Sequence, residues 1–200
     1  MAVSRHGFNG IGPKSPPADF RWFHVVLTTY GTWLPGDKRG FRTRHHRVHV
    51  PGDYKSPPPA GMFAATLRRS TKLLKHTPVH LNESLRSATG TAVIGRLRQL
   101  GGFVCAAAVC GDHMHLLVKL PSSQTRQWIG LAKKHAWFTV REVGWTGKLW
   151  AKRAKFEPVR DRRHLENVLR YIIAHQHQGG WVWVWEGLSD AAVERICRSR

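Results

Sequence analysis

The stretch Cys110-Gly111-Asp112-His113-Met114-His115-Leu116-Leu117-Val118-Lys119-Leu120 constrains this chain more than any other. Alternate residues of a β-strand face opposite sides. His113, His115 and Leu117 therefore fall on one face, and Met114, Leu116, Val118 and Leu120 on the other. A strand with a wholly apolar back belongs in a sheet packed against a hydrophobic layer. Its front then offers two imidazoles side by side, half of a divalent-metal site. Gly111-Asp112 suits the tight hairpin turn that would feed this strand from the apolar run at 103–110, a buried-strand candidate.

The flanking sequence supplies the partners. A β-branched and aromatic run at 22–30 predicts a strand, followed by a turn-rich loop at 31–37. Helices are expected over 62–75, where Phe63, Leu67 and Leu74 recur among basic residues, and over 82–100, which Gly90 and Gly95 weaken. Another starts at Ser122 or Ser123 as cap and runs to about Val143. A short strand is expected within 149–159. Asp161 caps a last helix that runs to about Gln178 and stops at Gly179-Gly180. The order strand–helix–strand–strand–helix–strand–helix predicts an α+β ferredoxin-like sandwich with a central antiparallel sheet and an added C-terminal helix. Residues 1–20, rich in Gly, Pro and Ser, read as a flexible arm without the apolar segment of a signal peptide. Residues 21–185 read as one domain and 186–200 as a tail. Trp181, Trp183 and Trp185 share one strand face, for packing on the core or on a second subunit, or for base stacking.

Charge narrows the partner. Lys and Arg total 32 against 12 Asp and Glu, a formal net charge of +20, which favours a polyanion. Hydrophobic residues make up 42% of the chain, so a globular fold is expected. No apolar run approaches the roughly 20 residues of a membrane span, and nucleic acid fits better than a bilayer. The three Cys, Cys105, Cys110 and Cys197, form no metal-ligand spacing. Cys105 and Cys110 read as small hydrophobes in a reducing, intracellular setting. The basic, Pro-rich segment at 40–60 reads as an exposed loop, either a solvated insertion or a phosphate-contacting one.

The last helix supplies the other half of the candidate site. Leu165, Val168, Leu169, Ile172 and Ile173 form an apolar stripe. At about 100° per residue, Tyr171 and His175 lie one turn apart on its border. If this helix packs near the histidine strand, three nitrogen ligands and a phenol converge. A metal-assisted attack of the tyrosine oxygen on phosphorus would follow, with loss of a phenolic proton whose unperturbed pKa is about 10. Alternatively Tyr171 makes a hydrogen bond at the helix edge and His175 is a surface residue. Tyr30 and Tyr54 are the other phenols.

His113-Met114-His115-Leu116-Leu117-Val118, followed by a helix containing Tyr171-Ile172-Ile173-Ala174-His175-Gln176, resembles the single-tyrosine HUH (His-hydrophobic-His) transposases. These include insertion-sequence transposases and REP-associated tyrosine transposases. Residues 22–37 and Leu149-Trp150-Ala151-Lys152 also look like segments of that group. The resemblance implies a site-specific endonuclease and transesterase that cuts and rejoins single-stranded DNA through a 5′-phosphotyrosine. Recognition of a DNA hairpin beside the cleavage site is expected with it. The cofactor would be Mg²⁺ or Mn²⁺, the metal ligands His113 and His115, and the nucleophile Tyr171. The third ligand, Gln or Asn in that group, falls at His175, with Gln176 next. Either His175 ligates and metal preference shifts, or the helix end distorts and Gln176 serves, or the copy is an inactive, domesticated hairpin binder. DNA contacts are expected from Arg39, Arg42, Arg44 and Arg47 in the long loop, Arg126, Lys133 and Lys134 on the helix after the histidine strand, and Lys152, Arg153 and Lys155 before the tyrosine helix. No membrane partner is expected, a homodimer is among the expected states, and the setting would be a bacterial cytoplasm, with the nucleoid.

Overall fold

In the computed structural model, which describes residues 19–42, 49–50, 58–189 and 191, alternation builds the first strand. Phe23, Val25, Leu27 and Thr29 of β1 (Phe20–Thr29) are buried and the residues between them only partly so, the period-2 signature of a strand with one face on a core. A two-stranded ribbon follows, β2 (Phe41–Arg42) with β3 (His49–Val50). Two helices come next, α1 (Ala64–Lys72) and α2 (Glu83–Gln99). Asn82 caps α2 by accepting the Leu85 N–H at 2.9 Å, a strong start signal. Strands β4 (Phe103–Val109) and β5 (His113–Pro121) form a hairpin across Gly111-Asp112, closed by Cys110 N–H donating to the His113 carbonyl at 2.8 Å. Helix α3 (Thr125–Glu142), strand β6 (Trp150–Pro158), helix α4 (Arg162–Ala174), a 3₁₀ turn (His175–Gln178) and strand β7 (Trp181–Val184) complete the chain.

The five main strands run in the order β6-β1-β5-β4-β7, every neighbour pair antiparallel. The protein is thus α+β, with the split βαβ arrangement of a ferredoxin-like sandwich widened by β7. The two faces of the sheet are covered unequally. One carries Phe23, Val25, Leu27, Met114, Leu116, Val118 and Leu120 against α2 and α3, in a core completed by Val93, Leu97, Ile129 and Val140. The other carries Ala106, Ala108 and Leu117 against Val168, Leu169 and Ile172 of α4. Helix α4 packs on β4, β5 and β7, so the same face of β1 and β6 borders open space.

Several local expectations change. Ser122 and Ser123 do not cap α3. Their hydroxyls are drawn to Asp19 at the start of β1, at 2.9 Å to its carbonyl and 3.1 Å to its carboxylate, and the cap residue is Gln124. The last helix stops at Ala174 and tightens into the 3₁₀ turn, which ends at Gly179 with φ 73°, a left-handed stop that favours glycine. The three indoles of 181–185 pack on the α2/α3 core, with Trp183 buried. Arg44, Arg47, Tyr54 and Cys197, and most of the expected arm and tail, lie outside the described residues.

Gly90 weakens α2 as a lone helix but is required by the fold. A Cβ there would sit 2.0 Å from the Trp181 ring. Gly95 of the same helix has nothing within 4 Å of its Cβ position. Two glycine-to-alanine changes in one helix should therefore have opposite signs. Gly90→Ala should destabilise by about 1–3 kcal/mol through overpacking, and Gly95→Ala should stabilise by about 0.5–1 kcal/mol. Urea denaturation midpoints check both; equal shifts would show that Trp181 does not rest on Gly90.

Candidate functional site

Strand β5 carries His113 and His115 on the face away from α2 and α3. In register, Val26 of β1 and Ala108 of β4 flank His115. With small neighbours beside it and α4 above, His115 is 5% exposed. His24 sits two positions along β1 on the same face, and its Nε2 lies 3.0 Å from His115 Nδ1. From the end of α4, His175 brings its ring to 4.7 Å from that of His115 and 5.8 Å from that of His113, centroid to centroid. The Tyr171 ring lies 5.1 Å from His115, 4.6 Å from His175 and 6.0 Å from His24. Tyr171 is half exposed. The structure thus brings together His113, His115, His175 and Tyr171, from a strand and a helix far apart in sequence.

Three of the four imidazoles, His113, His115 and His175, are oriented through Nδ1. His113 Nδ1 donates to the Asp112 carboxylate at 2.5 Å. His175 Nδ1 donates to the Tyr171 carbonyl at 2.8 Å. His115 Nδ1 faces His24. Fixing Nδ1 in this way leaves Nε2 for a ligand, which is how metal-binding histidines are commonly held. His115 Nε2 is buried with no hydrogen-bond partner among the described residues, and an orphaned buried nitrogen is costly unless something fills the site. Beside it, one ligand atom each from Cys110, His113 and His175 lie within 4.8 Å of one another. The donor set fits a divalent metal ion.

The charges are uneven. Burial, followed by the neighbouring His113, His175 and His24, pushes His115 down to about 2. Burial lowers His24 to about 4 despite the raising effect of Glu157. His175 is also lowered, first by burial, with its bond to the Tyr171 carbonyl opposing and His113 adding. His113 goes the other way. Burial lowers it, but hydrogen bonds to Asp112 and Cys110 outweigh that and bring it to about 9. The same bond from His113, against burial, holds Asp112 at about 2. Without a metal, one cation therefore stands among three neutral rings.

His24, Asp112, His113, His115 and Tyr171 face a cleft of about 850 Å³ whose lining also includes Trp33, Pro35, Phe41, Arg39, Arg153 and Lys155, with His175 buried behind them. Arg39 anchors its rim. It stacks on Trp33 at 5.1 Å and donates to Asp37 at 2.7 Å, to Asp112 at 3.0 Å and to the Thr32 carbonyl. It thereby ties the loop after β1 to the carboxylate that orients His113. Arg153 and Lys155 are exposed on β6, Lys155 also pairing with Glu157 at 3.1 Å. The cations of α3 lie elsewhere, because that helix belongs to the opposite layer. There Arg126 covers Phe156, Lys134 covers Phe138, and Lys133 donates to the Ala151 carbonyl at 2.7 Å. Lys152 is exposed on β6 and does not line the cleft. Arg42 is placed on β2, but its side chain lies outside the description, as do Arg44 and Arg47. Gln176 follows His175 in the 3₁₀ turn. Tyr30 is remote in contact: its hydroxyl accepts from Lys75 N–H at 3.1 Å and its ring packs on the α2/α3 core.

Sequence reasoning missed His24, Asp112 and Cys110. His24 alternates with Val25 and Leu27 and so could be placed on the polar face, but only the β1–β5 register shows that it meets His115. Cys110 and His113 flank a two-residue turn, and such positions face each other across a hairpin. That signal was legible once the turn was identified.

No known family model and no curated protein matches the chain. Among solved structures it is similar to one described as the REP-associated tyrosine transposase bound to a REP hairpin, with TM-score 0.44 and 14% identity over 90% of this chain and 76% of that one. The chemistry of the cleft is therefore read from its own side chains. No helix among the described residues is long and apolar enough to cross a membrane.

The uneven charges predict a two-sided pH profile for the metal-free protein. His115 and His24 stay neutral in the fold below their ordinary 6.5, while the unfolded chain takes up protons. Stability should fall on acidification from pH 6.5, toward about 1.4 kcal/mol per pH unit for each ring, with His175 adding in the same sense. His113, raised to about 9, contributes stability that is complete below 6.5 and lost as the pH rises through 9. Urea midpoints in chelator between about pH 4.5 and 9 should peak near 6.5, and His115→Leu should flatten the acid side. A profile flat on both sides would refute this charge arrangement.

Proposed function

We propose that this cleft cuts and rejoins single-stranded DNA, with Tyr171 as nucleophile and His113, His115 and His175 as the metal-holding groups. The observation that carries the reading is the Tyr171 ring 5.1 Å from a buried His115 whose Nε2 has no partner among the described residues, in a cleft bordered by cations. Residues 21–185 would form the working unit.

A divalent ion held by His113, His115 and His175 would polarise a phosphate oxygen and offset the charge that develops there. Everything else falls to the chain. Asp112, His24 and the Tyr171 carbonyl would hold the three rings in place, each through its Nδ1. Arg153 and Lys155 bind flanking phosphates, and Arg39 steadies the rim through Asp112. The Tyr171 oxygen forms a bond to phosphorus as the bond from phosphorus to the 3′ oxygen breaks. The phenolic proton is lost to solvent, and the departing 3′ oxygen takes one up. The 5′ end stays on the tyrosine, so the phosphodiester energy is retained for rejoining. Half exposure of Tyr171 leaves it accessible to a strand lying in the cleft. In this reading His175, not Gln176, is the third nitrogen ligand.

One observation favours a second reading, a hairpin-binding protein without chemistry. The group that the sequence resembles has an amide at the third-ligand position, whereas this chain has an imidazole. The two readings separate in one experiment with hairpin-flanked single-stranded DNA and a divalent metal ion. A covalent protein–DNA adduct should form, Tyr171→Phe should abolish it, and Arg153→Ala with Lys155→Ala should weaken DNA binding and reduce its salt dependence by about one unit of slope per lost phosphate contact. An adduct that survives Tyr171→Phe sinks the assignment of the nucleophile. Salt-sensitive binding with no adduct under any divalent ion leaves the binding reading.

A further inference from the structure

We infer that Cys110 is a fourth donor in the histidine cluster, and that the site selects a thiophilic ion of the Zn²⁺ or Co²⁺ kind over Mg²⁺. The inference rests on reading the cluster as a metal site, and goes beyond that reading in its ligand set and its ion. Cys110 and His113 close the two-residue hairpin as a cross-strand pair, which directs their side chains to one face. His175 reaches the same point from α4. Within 4.8 Å of one another lie a sulfur and two imidazole nitrogens. Ligands 2.0–2.3 Å from a tetrahedral Zn²⁺ are spaced about 3.3–3.8 Å apart, so contraction by roughly one ångström seats an ion. The second, independent observation is His115, 5% exposed, with Nε2 lacking any partner among the described residues.

The donors are nitrogen and sulfur. Asp112, the nearest carboxylate, is engaged with His113 and Arg39. Mg²⁺ demands six hard oxygen ligands and sheds water reluctantly. Two imidazoles and a thiolate, completed by His115, whose ring lies 4.7 Å from those of both His113 and His175, are instead matched to borderline, four-coordinate ions. On binding, the Cys110 thiol and the His113 imidazolium each lose a proton to solvent as the sulfur–metal and nitrogen–metal bonds form, His113 keeping its bond to Asp112. Cys105 offers the internal contrast. It is buried among the apolar residues between β4 and α4, outside the group of potential ligands, and burial pushes its thiol up to about 12.

The test uses the full chain stripped of metal and titrated with Co²⁺ in an absorption cell. A sulfur-to-cobalt charge-transfer band in the near ultraviolet should appear together with intense visible bands of a four-coordinate ion. Cys110→Ser should lose the charge-transfer band and bind Co²⁺ at least about tenfold more weakly, whereas Cys105→Ser should retain both. Stoichiometric Zn²⁺ should displace the cobalt, and Mg²⁺ in large excess should not. On the wild-type chain, metal should protect Cys110 from iodoacetamide, read by peptide mass; this arm needs no variant to fold. A charge-transfer band that persists in Cys110→Ser, unprotected Cys110, or displacement of cobalt by Mg²⁺ would overturn the inference. Tyr171→Phe should leave the cobalt spectrum unchanged. Loss of the DNA adduct reading and loss of the thiolate ligand are thus separate results.

Discussion

The register between β1 and β5 is the constraint on which the rest of the molecule depends. Val26 stands opposite His115 and Leu27 opposite Met114. A slip of one residue in β5 would turn both of its histidines into the α2/α3 core and move four apolar side chains onto the opposite face of the sheet. Burial of Met114, Leu116, Val118 and Leu120 makes that slip prohibitive, since each fully buried side chain of this kind contributes about 1.5–3 kcal/mol. The hydrophobic back of the strand is therefore what aims its front. The imidazoles are presented from a packed, rigid element, the arrangement best able to hold a ligand geometry.

Unequal coverage of the sheet then makes a site out of a surface. Helix α4 shields β4, β5 and β7 but not the same face of β1 and β6. His115 lies under the helix edge and is dry, and Tyr171 lies on that edge and is half exposed. One border thus supplies both a low-dielectric pocket and a phenol accessible from outside. The contrasting charge states follow from the same geometry. His115 is dry and ringed by other imidazoles, while His113 borders Asp112 and takes up a proton.

The polar groups around the cluster act in sequence. Arg39 holds Asp112, Asp112 holds His113, and the loop carrying Arg39 is closed in part by stacking on Trp33. Among the described residues, the cations Arg39, Arg153 and Lys155 line the cleft, and Lys133 is turned to a backbone carbonyl. A net charge of +20 thus describes the attraction of the whole surface for a polyanion, whereas the cleft has its own smaller set.

The sequence by itself determined directions. Period-2 alternation in β5 assigned its faces, the β-branched and aromatic run assigned β1 as a strand, the Gly111-Asp112 pair assigned the hairpin, and the i, i+4 spacing of Tyr171 and His175 assigned one helix border. The order of elements was enough for the α+β sandwich. Local cues failed where a distant group competed: Ser122 and Ser123 bond to Asp19 instead of capping α3, and Gly90 serves Trp181 instead of the helix that contains it. Only the tertiary structure decided distances. That His24 meets His115, that Cys110 meets His175 and that Arg39 meets Asp112 depends on strand register and helix docking. Backbone periodicity fixes where a side chain points from its own element, but what it touches is set by elements far along the chain, whose placement is governed by burial of the whole core.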